Sequence, residues 1–202
     1  MESIQLPPGG WLRFWPDFFE PAQADAHMAA LSEDLAWSQQ SIRMFGREVP
    51  QPRLTAFYGQ GEIEYRYSGL TWRALPWSGA LATLAETVSE HAGQAFNSVL
   101  CNLYRDGQDS MGWHADDEPA LGQNPVIASV SFGQSRRFDL KPKAKAKANA
   151  VSADDPVRLV LAHGSLLIMG GATQHHWVHQ IPKTRKALEP RINLTFRWID
   201  PS

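Results

Sequence analysis

Apolar residues recur at helical spacing in two stretches of the first half of the chain. The first stretch begins at Pro21, a residue suited to the first turn of a helix, and ends near Trp37. The second begins at Ser78, and Gly93 closes it. The positions that share a face are Ala24, Met28, Leu31 and Leu35 in the first stretch and Leu81, Leu84, Ala85, Val88 and Ala92 in the second. The pattern predicts two helices, each with one face against a core.

The remaining segments are typical of β-structure. Residues 41–70 predict hairpins, with strands at Arg53–Tyr58 and Glu62–Tyr67 around the turn Gly59-Gln60-Gly61. Further strands are predicted at Ser98–Tyr104, Val126–Phe132, Arg137–Lys141, Val157–Leu161, Ser165–Met169 and Arg191–Trp198. Two helices followed by a run of short strands predict an α+β, mainly β, domain whose second half is a double sheet or barrel.

Composition and charge narrow the class of protein. The chain has 202 residues, 43% of them hydrophobic, which suits one domain with a single substantial core. A lone cysteine, Cys101, excludes an internal disulfide, and the start of the chain does not have the pattern of a signal peptide. No apolar stretch approaches the length of a membrane helix. We therefore expect a cytoplasmic protein, nucleoid-associated if bacterial. Its net charge of −2 means that any anionic partner must meet a local basic patch.

The pair His114-x-Asp116 is the first candidate for chemistry. Residues two apart in an extended chain point to the same face, so both side chains can bind one ion. A histidine from a distant strand would complete a two-His-one-carboxylate site, which leaves three positions open on non-haem Fe(II). His175, His176 and His179 are all candidates, and spacing does not choose among them. A structural zinc site would usually be closed by four ligands, and a solvated loop is the ordinary alternative.

Polar residues alternate with apolar ones along the last predicted strand. Arg191, Asn193, Thr195 and Arg197 share one face of it. The two arginines are at most about 20 Å apart at a rise of roughly 3.3 Å per residue, so their side chains can converge on a small dianion. Asn102 and Tyr104 likewise share a face of the strand Ser98–Tyr104. The alternative for the arginine face is the solvated outer surface of a sheet.

Several joined segments resemble the AlkB family of Fe(II)- and 2-oxoglutarate-dependent nucleic-acid dealkylases, most closely the members that repair double-stranded DNA. The segments, within residues 40–199, are MFGREVPQPR, YSGLTW, YRDGQDSMGWHADDE, IASVSFG, LAHGSLLIM, HHWVHQIP and PRINLTFR. The resemblance implies a double-stranded β-helix (jelly-roll) core in residues 96–202. It implies that residues 1–95 supply the N-terminal extension, the helices and a nucleotide-recognition lid.

The resemblance also implies roles for individual residues. Iron would be bound by His114, Asp116 and His179, the last of which lies twelve residues before Arg191, as in the family. Arg191 would bind the distal carboxylate of 2-oxoglutarate with help from Asn102 and Tyr104. Arg197 would lie near the iron-chelating carboxylate, on the strand face that also carries Asn193. O2 would take the remaining metal position.

The activity that the resemblance implies is oxidative demethylation of 1-methyladenine and 3-methylcytosine in DNA. Formaldehyde, succinate and CO2 would be released, and a base in a duplex would have to be flipped out. The implied base-binding residues are Tyr65, Tyr67 and Ser68 of the lid and Glu118; Asp117 is its neighbour, for which a solvated acidic turn is the alternative. Phe45 would fill the vacated stack as an apolar wedge beside basic Arg43, Arg47 and Arg53; its alternative is a place in the hairpin core. Two basic loops could bind phosphates: Lys141, Lys143, Lys145 and Lys147, and Lys183-Thr184-Arg185-Lys186.

Two other functions remain open at this stage. One is hydroxylation or demethylation of RNA, a protein or a small molecule, because the cofactor motif is shared more widely than the substrate. The other is a non-catalytic jelly-roll that binds nucleic acid. Whichever of these functions the protein has, we expect it to be a monomer.

Overall fold

The computed structural model describes residues 1–44, 47–67, 70–143 and 156–200, without the side chains of residues 43, 44, 66, 67 and 70. The strands of the first half are β1 (Glu2–Leu6), β2 (Gly10–Trp15), β3 (Ser41–Met44), β4 (Arg47–Pro50), β5 (Leu54–Gly59), β6 (Glu64–Tyr67), β7 (Leu70–Arg73) and β8 (Leu75–Pro76). Those of the second half are β9 (Ser98–Tyr104), β10 (Met111–His114), β11 (Ile127–Gly133), β12 (Arg136–Pro142), β13 (Val157–Leu161), β14 (Ser165–Gly171), β15 (Trp177–Ile181) and β16 (Arg191–Arg197). The α-helices are α1 (Pro21–Asp34), α2 (Gly79–Ala92) and the short α3 (Thr173–His176), and Pro119–Leu121 forms a 3-10 turn.

Two sheets face each other and enclose the interior of the protein. The large sheet has the strand order β1-β2-β14-β11-β16-β9-β5-β8, and the small sheet has the order β10-β15-β12-β13. The large sheet thus combines strands from both sides of residue 95. An apolar cluster that includes Phe138 and Leu140 of the small sheet and Leu100 and Leu167 of the large sheet fills the space between them. This arrangement confirms the predicted mainly β, jelly-roll class.

The two long helices cover the outer face of the large sheet. Ser78 accepts a hydrogen bond from the N–H of Leu81 at the start of α2, and Gly93 ends that helix at φ 67°, a left-handed conformation that favours glycine. Leu31 of α1 and Leu84 of α2 join a second apolar cluster with residues of β9, β11, β14 and β16. The large sheet is therefore buried on both faces, and its inward face can carry polar groups while the outward face supplies a core.

Alternation along β16 assigns its two faces as predicted. Ile192, Leu194 and Phe196 belong to the cluster under the helices. The arginines at the two ends point the other way, and both are buried, at 1% and 4% exposure. The alternative that the arginine face of β16 is the solvated outer surface of a sheet is therefore wrong. The reason is that the small sheet covers this side of the large sheet.

One predicted pairing is wrong. The strands β5 and β6 exist, but they do not form a hairpin around Gly59-Gln60-Gly61. β5 pairs with β9 over Leu54–Gly59, while β6 pairs with β7. The physical reason is that β9 offers β5 six paired positions inside the buried sheet, whereas a local hairpin would lie over the surface. The short strand and turn that residues 11–19 predict correspond to β2 and the residues after it, whereas β1, β7, β8, β10 and β15 were not predicted.

The described helices include none that is long and apolar enough to cross a membrane. Phe45 and Ser68 lie outside the described residues, as do Lys145 and Lys147 of the basic loop.

Candidate active site

Strand register brings two histidines face to face in the small sheet. β10 pairs antiparallel with β15, and this register sets His114 directly opposite His179. Their ring centroids are 4.2 Å apart. The structure therefore selects His179 from the three candidates, because His175 and His176 lie on α3 instead.

Asp116 completes a cluster whose ligand atoms all lie within 4.8 Å of one another. It follows the end of β10 by two residues and is 1% exposed. Its Oδ1 accepts a hydrogen bond of 2.7 Å from Nη2 of Arg197, and its Oδ2 lies 3.9 Å from Nε2 of His179. Two imidazoles and one carboxylate are the donor set of an open non-haem iron site.

Hydrogen bonds and charges prepare these groups to bind a metal. Nδ1 of His114 lies 2.8 Å from the carbonyl oxygen of Gly112. Because a carbonyl only accepts, Nδ1 carries the proton and Nε2 is left as the ligand atom. Burial lowers the pKa of His114, and it lowers the pKa of His179 to about 3, so both rings are neutral at pH 7. Burial alone would raise the pKa of Asp116, but the charge of Arg197 and its hydrogen bond to the carboxylate outweigh burial and help to hold the pKa at about 2.

Arg191 and Arg197 carry unpaired N–H groups into the same cleft. Nη2 of Arg191 donates to the Ser131 hydroxyl at 2.9 Å, whereas its Nε and Nη1 make no hydrogen bond. Nε and Nη1 of Arg197 are also unpaired. Burial lowers the pKa of Arg191 to about 10, partly offset by nearby Tyr104. Buried donors without partners are rare and costly, and two guanidinium groups match the two carboxylates of a keto-diacid. The residues present therefore fit 2-oxoglutarate.

The predicted asparagines line this cleft together with Tyr104. Asn193 donates through Nδ2 to the Ser129 hydroxyl at 2.7 Å. Oδ1 of Asn102 accepts a hydrogen bond of 2.8 Å from Nε of Arg53. Arg53 was predicted to lie with Arg43 and Arg47 beside the wedge, but it is buried at 4% exposure against the cleft.

Tyr65 and Glu118 meet next to the Arg197–Asp116 ion pair. The Tyr65 hydroxyl donates to Oε2 of Glu118 at 2.8 Å, and the guanidinium carbon of Arg197 lies 5.8 Å from the centroid of the Tyr65 ring. Burial raises the pKa of Glu118, although the hydrogen bond from Tyr65 opposes this rise. Tyr65 is 1% exposed, so this residue of β6 is packed in the interior beside the ion pair. Tyr67 lies at the end of β6, and its side chain is not among those described.

Asp117 and Lys143 form an ion pair of 2.7 Å near the metal cluster. Lys143 was predicted to bind phosphate, and here it also donates to the carbonyl oxygen of Gln174 at 2.8 Å. Of the second basic loop, Lys183 and Lys186 border a separate cavity with Arg136 and Arg137.

Sequence reasoning missed three polar residues of the site. Ser129 and Ser131 hold Asn193 and Arg191, and the alternation of serine with apolar residues in β11 was the signal for them. Gln174 accepts a hydrogen bond from the main-chain N–H of Asp116 at 3.0 Å. It lies on a four-residue helix with no periodic pattern, so nothing in the sequence marked it.

Comparisons with known proteins agree with this geometry. The profile of the 2OG-Fe(II) oxygenase superfamily matches residues 11–197. The chain is 44% identical over 203 residues to human alpha-ketoglutarate-dependent dioxygenase alkB homolog 3, which covers 98% of this chain and 70% of that protein. It is 41% identical over 184 residues to human DNA oxidative demethylase ALKBH2, which covers 90% of this chain and 70% of that one. The solved structure of OsALKBH1 has a TM-score of 0.59 at 15% identity, over 98% of this chain and 100% of that chain, and shows the fold.

The match over residues 11–197 means that the protein is a 2OG-Fe(II) oxygenase, the class of enzyme to which an open ligand set beside buried arginines belongs. Within that class, identities of 41–44% over at least 90% of the chain place it in the AlkB family. Its activity is that of a 2-oxoglutarate-dependent dioxygenase that requires Fe(II), 2-oxoglutarate and O2. When bound, these groups supply an oxidant for substrate C–H bonds, while the protein supplies binding, orientation and shielding from water.

Proposed function

We propose that this enzyme demethylates N-methylated bases in DNA, with 1-methyladenine and 3-methylcytosine as substrates. The observation that carries the proposal is the Tyr65–Glu118 pair beside the metal cluster. A ring methylated at these nitrogens can carry a positive charge, and it keeps an exocyclic amino group. A half-buried carboxylate at Glu118, two residues from Asp116, suits both features.

The family relationship supports the same substrate class. Relatives at 40–45% identity include proteins named DNA oxidative demethylase and alkB homolog 3. The proposal extends to a base flipped out of a duplex, because an enzyme whose reactive groups line a cleft needs its target base to leave the stack.

Formaldehyde release from methylated oligonucleotides tests the proposal. Anaerobic protein loaded with Fe(II) and 2-oxoglutarate should show their charge-transfer absorption. On admission of O2 it should release formaldehyde from 1-methyladenine in duplex DNA, in single-stranded DNA, or in both. Turnover of RNA alone would move the assignment to RNA. Turnover of none of these oligonucleotides would overturn it.

Glu118→Gln tests the carboxylate itself. Loss of one charged hydrogen bond, about 1.5–3 kcal/mol, should lower kcat/KM for methylated DNA by roughly 10- to 100-fold. The charge-transfer absorption of the variant should stay as in the parent protein. Glu62→Gln is the matched control, since Glu62 is an exposed lid carboxylate. Equal kcat/KM in the Glu118 variant and the control would contradict the base-binding role.

A further inference from the structure

Gln174 is a fully buried amide that touches the main chain of a metal ligand. Its side chain is 0% exposed, and its Oε1 accepts the N–H of Asp116 at 3.0 Å. Its Nε2 lies 3.7 Å from the sulfur of Met169, a weak acceptor. Among the residues that the structure describes, the contact with Asp116 is therefore the one strong hydrogen bond of this side chain, and it joins residues 58 positions apart in the sequence.

The helix that carries Gln174 is held at its start by β2 and at its end by the turn that precedes β2. The Thr173 hydroxyl accepts the N–H of Trp11 at 3.1 Å and donates to the carbonyl of Gly170 at 2.6 Å. Nε1 of Trp177 donates to the carbonyl of Pro7 at 3.0 Å. A Cβ at Gly10 would lie 2.8 Å from Thr173 Oγ1, so the start of β2 lies directly against α3. These contacts leave Gln174 little freedom to follow a displaced ligand.

Lys143 adds two further contacts around the segment Asp116–Asp117 that contains the metal ligand. Its Nζ donates to the main-chain carbonyl of Gln174 at 2.8 Å and to Oδ2 of Asp117 at 2.7 Å. Gln174 therefore holds Asp116 through its side chain and Asp117 through its carbonyl and Lys143. The segment Asp116–Asp117 is restrained on its main chain and on its solvent side.

We propose that Gln174 is a positioning residue that sets the metal affinity of the site through the main chain of Asp116. Arg197 holds the carboxylate end of Asp116, at Oδ1, and Gln174 holds the other end, at the main-chain nitrogen. Both restraints are needed to keep the remaining carboxylate oxygen facing the two histidines. Without the Gln174 acceptor, a buried N–H loses its partner and the residue can shift toward Arg197. Removal of such supporting partners commonly lowers metal affinity by about 10- to 100-fold.

The test is titration of metal-free protein with Co(II), followed by its visible absorption, together with thermal unfolding of the metal-free form. Gln174→Met keeps the volume of the side chain and removes the acceptor. It should raise the dissociation constant for Co(II) by about 10- to 100-fold. Gln174→Glu keeps an acceptor oxygen at the same distance along the side chain, and full burial keeps its carboxyl group neutral, so its Co(II) affinity should stay close to that of the parent protein and well above that of the Met variant.

Gln134→Met is the matched control, because Oε1 of Gln134 also accepts a main-chain N–H, that of Glu189, away from the cleft. Its Co(II) affinity should be unchanged. If Gln174→Met does not fold, Gln174→Asn replaces it, since the shorter amide withdraws the oxygen and should weaken binding equally. Parent-like affinity in the folded Met or Asn variant would overturn the proposal. So would an equal loss of affinity in the Met and Glu variants, because packing alone would then explain it.

Discussion

Arg191→Met should make the metal-free protein more stable while destroying its affinity for 2-oxoglutarate. Arg191 is 1% exposed, and two of its three guanidinium nitrogens have no partner. Each buried unpaired donor costs about 1–3 kcal/mol, so the two together cost roughly 2–6 kcal/mol. Methionine removes that cost and keeps the apolar stem.

The gain is reduced by what the guanidinium does contribute. The hydrogen bond to Ser131 is worth about 1 kcal/mol, and the contact with the Tyr104 ring, whose centroid lies 5.2 Å from the guanidinium carbon, adds about 0.5–1 kcal/mol. A net gain of about 2 kcal/mol remains, which for a chain of this size raises Tm by roughly 4–8 °C. The opposite effect is expected for the ligand. Loss of two charged hydrogen bonds to a carboxylate should weaken 2-oxoglutarate binding at least about 100-fold.

Two measurements on one variant decide the question. Thermal unfolding followed by circular dichroism, with a chelator present, gives the stability of the metal-free protein. Anaerobic titration of the Fe(II) form with 2-oxoglutarate gives the affinity. Arg158→Met is the matched control, because Arg158 is exposed on β13 and its loss should change neither quantity appreciably. A lower Tm in the Arg191 variant, or an unchanged affinity, would refute the view that its unpaired donors are held ready for a dianion.

Three further changes test other parts of the structure. Asp116→Ala removes a metal ligand and leaves its partner Arg197 buried and unpaired. In urea unfolding of the metal-free variant, the free energy of unfolding should be lower by about 3–5 kcal/mol. An unchanged unfolding midpoint would contradict the buried ion pair. Burial raises the pKa of Asp109, but hydrogen bonds from Arg105 outweigh it and hold the pKa below its ordinary value. The stability that this carboxylate contributes is therefore complete above its unfolded-state pKa and is lost as the pH falls through its folded-state pKa. Asp109→Asn should lower the free energy of unfolding at pH 7 and make it fall less steeply with pH below about pH 4. Parallel plots of unfolding free energy against pH for the parent and the variant would contradict this role. Trp177→Phe removes the hydrogen bond to Pro7 and leaves a small cavity in the core, so the free energy of unfolding should fall by more than about 1 kcal/mol; an unchanged value would count against this contact.

Alternation and helical spacing predicted most of the elements because both follow from burial of one face. The α2 positions Leu81, Leu84 and Val88 are all buried, as the spacing required. The pairing of strands was less accessible. Pairing depends on which strand edges meet in three dimensions, and for that reason β5 pairs with β9 and not with β6, its neighbour in the sequence.

The third metal ligand shows the same limit at the level of one residue. Nothing local separates His179 from His175 and His176, since all three lie within five residues. The choice depends on the pairing of β10 with β15, which sets one of them opposite His114. Spacing could therefore supply the pair His114-x-Asp116 but not the third ligand. Resemblance to a family identified that ligand because the family preserves the result of the pairing.

The division of β16 into two faces explains how the protein tolerates so costly a site. Arg191 and Arg197 leave donors unpaired in the interior, and a sheet with only this face buried would gain little from folding around them. The other face of the same strand places Ile192, Leu194 and Phe196 at 0% exposure under the two long helices. Burial of the apolar face of the strand thus offsets the cost of keeping the charged groups of the other face away from water. The helices lie on the opposite side of the sheet from the metal cluster, but the burial that they provide allows the arginines to stay in the interior before 2-oxoglutarate binds.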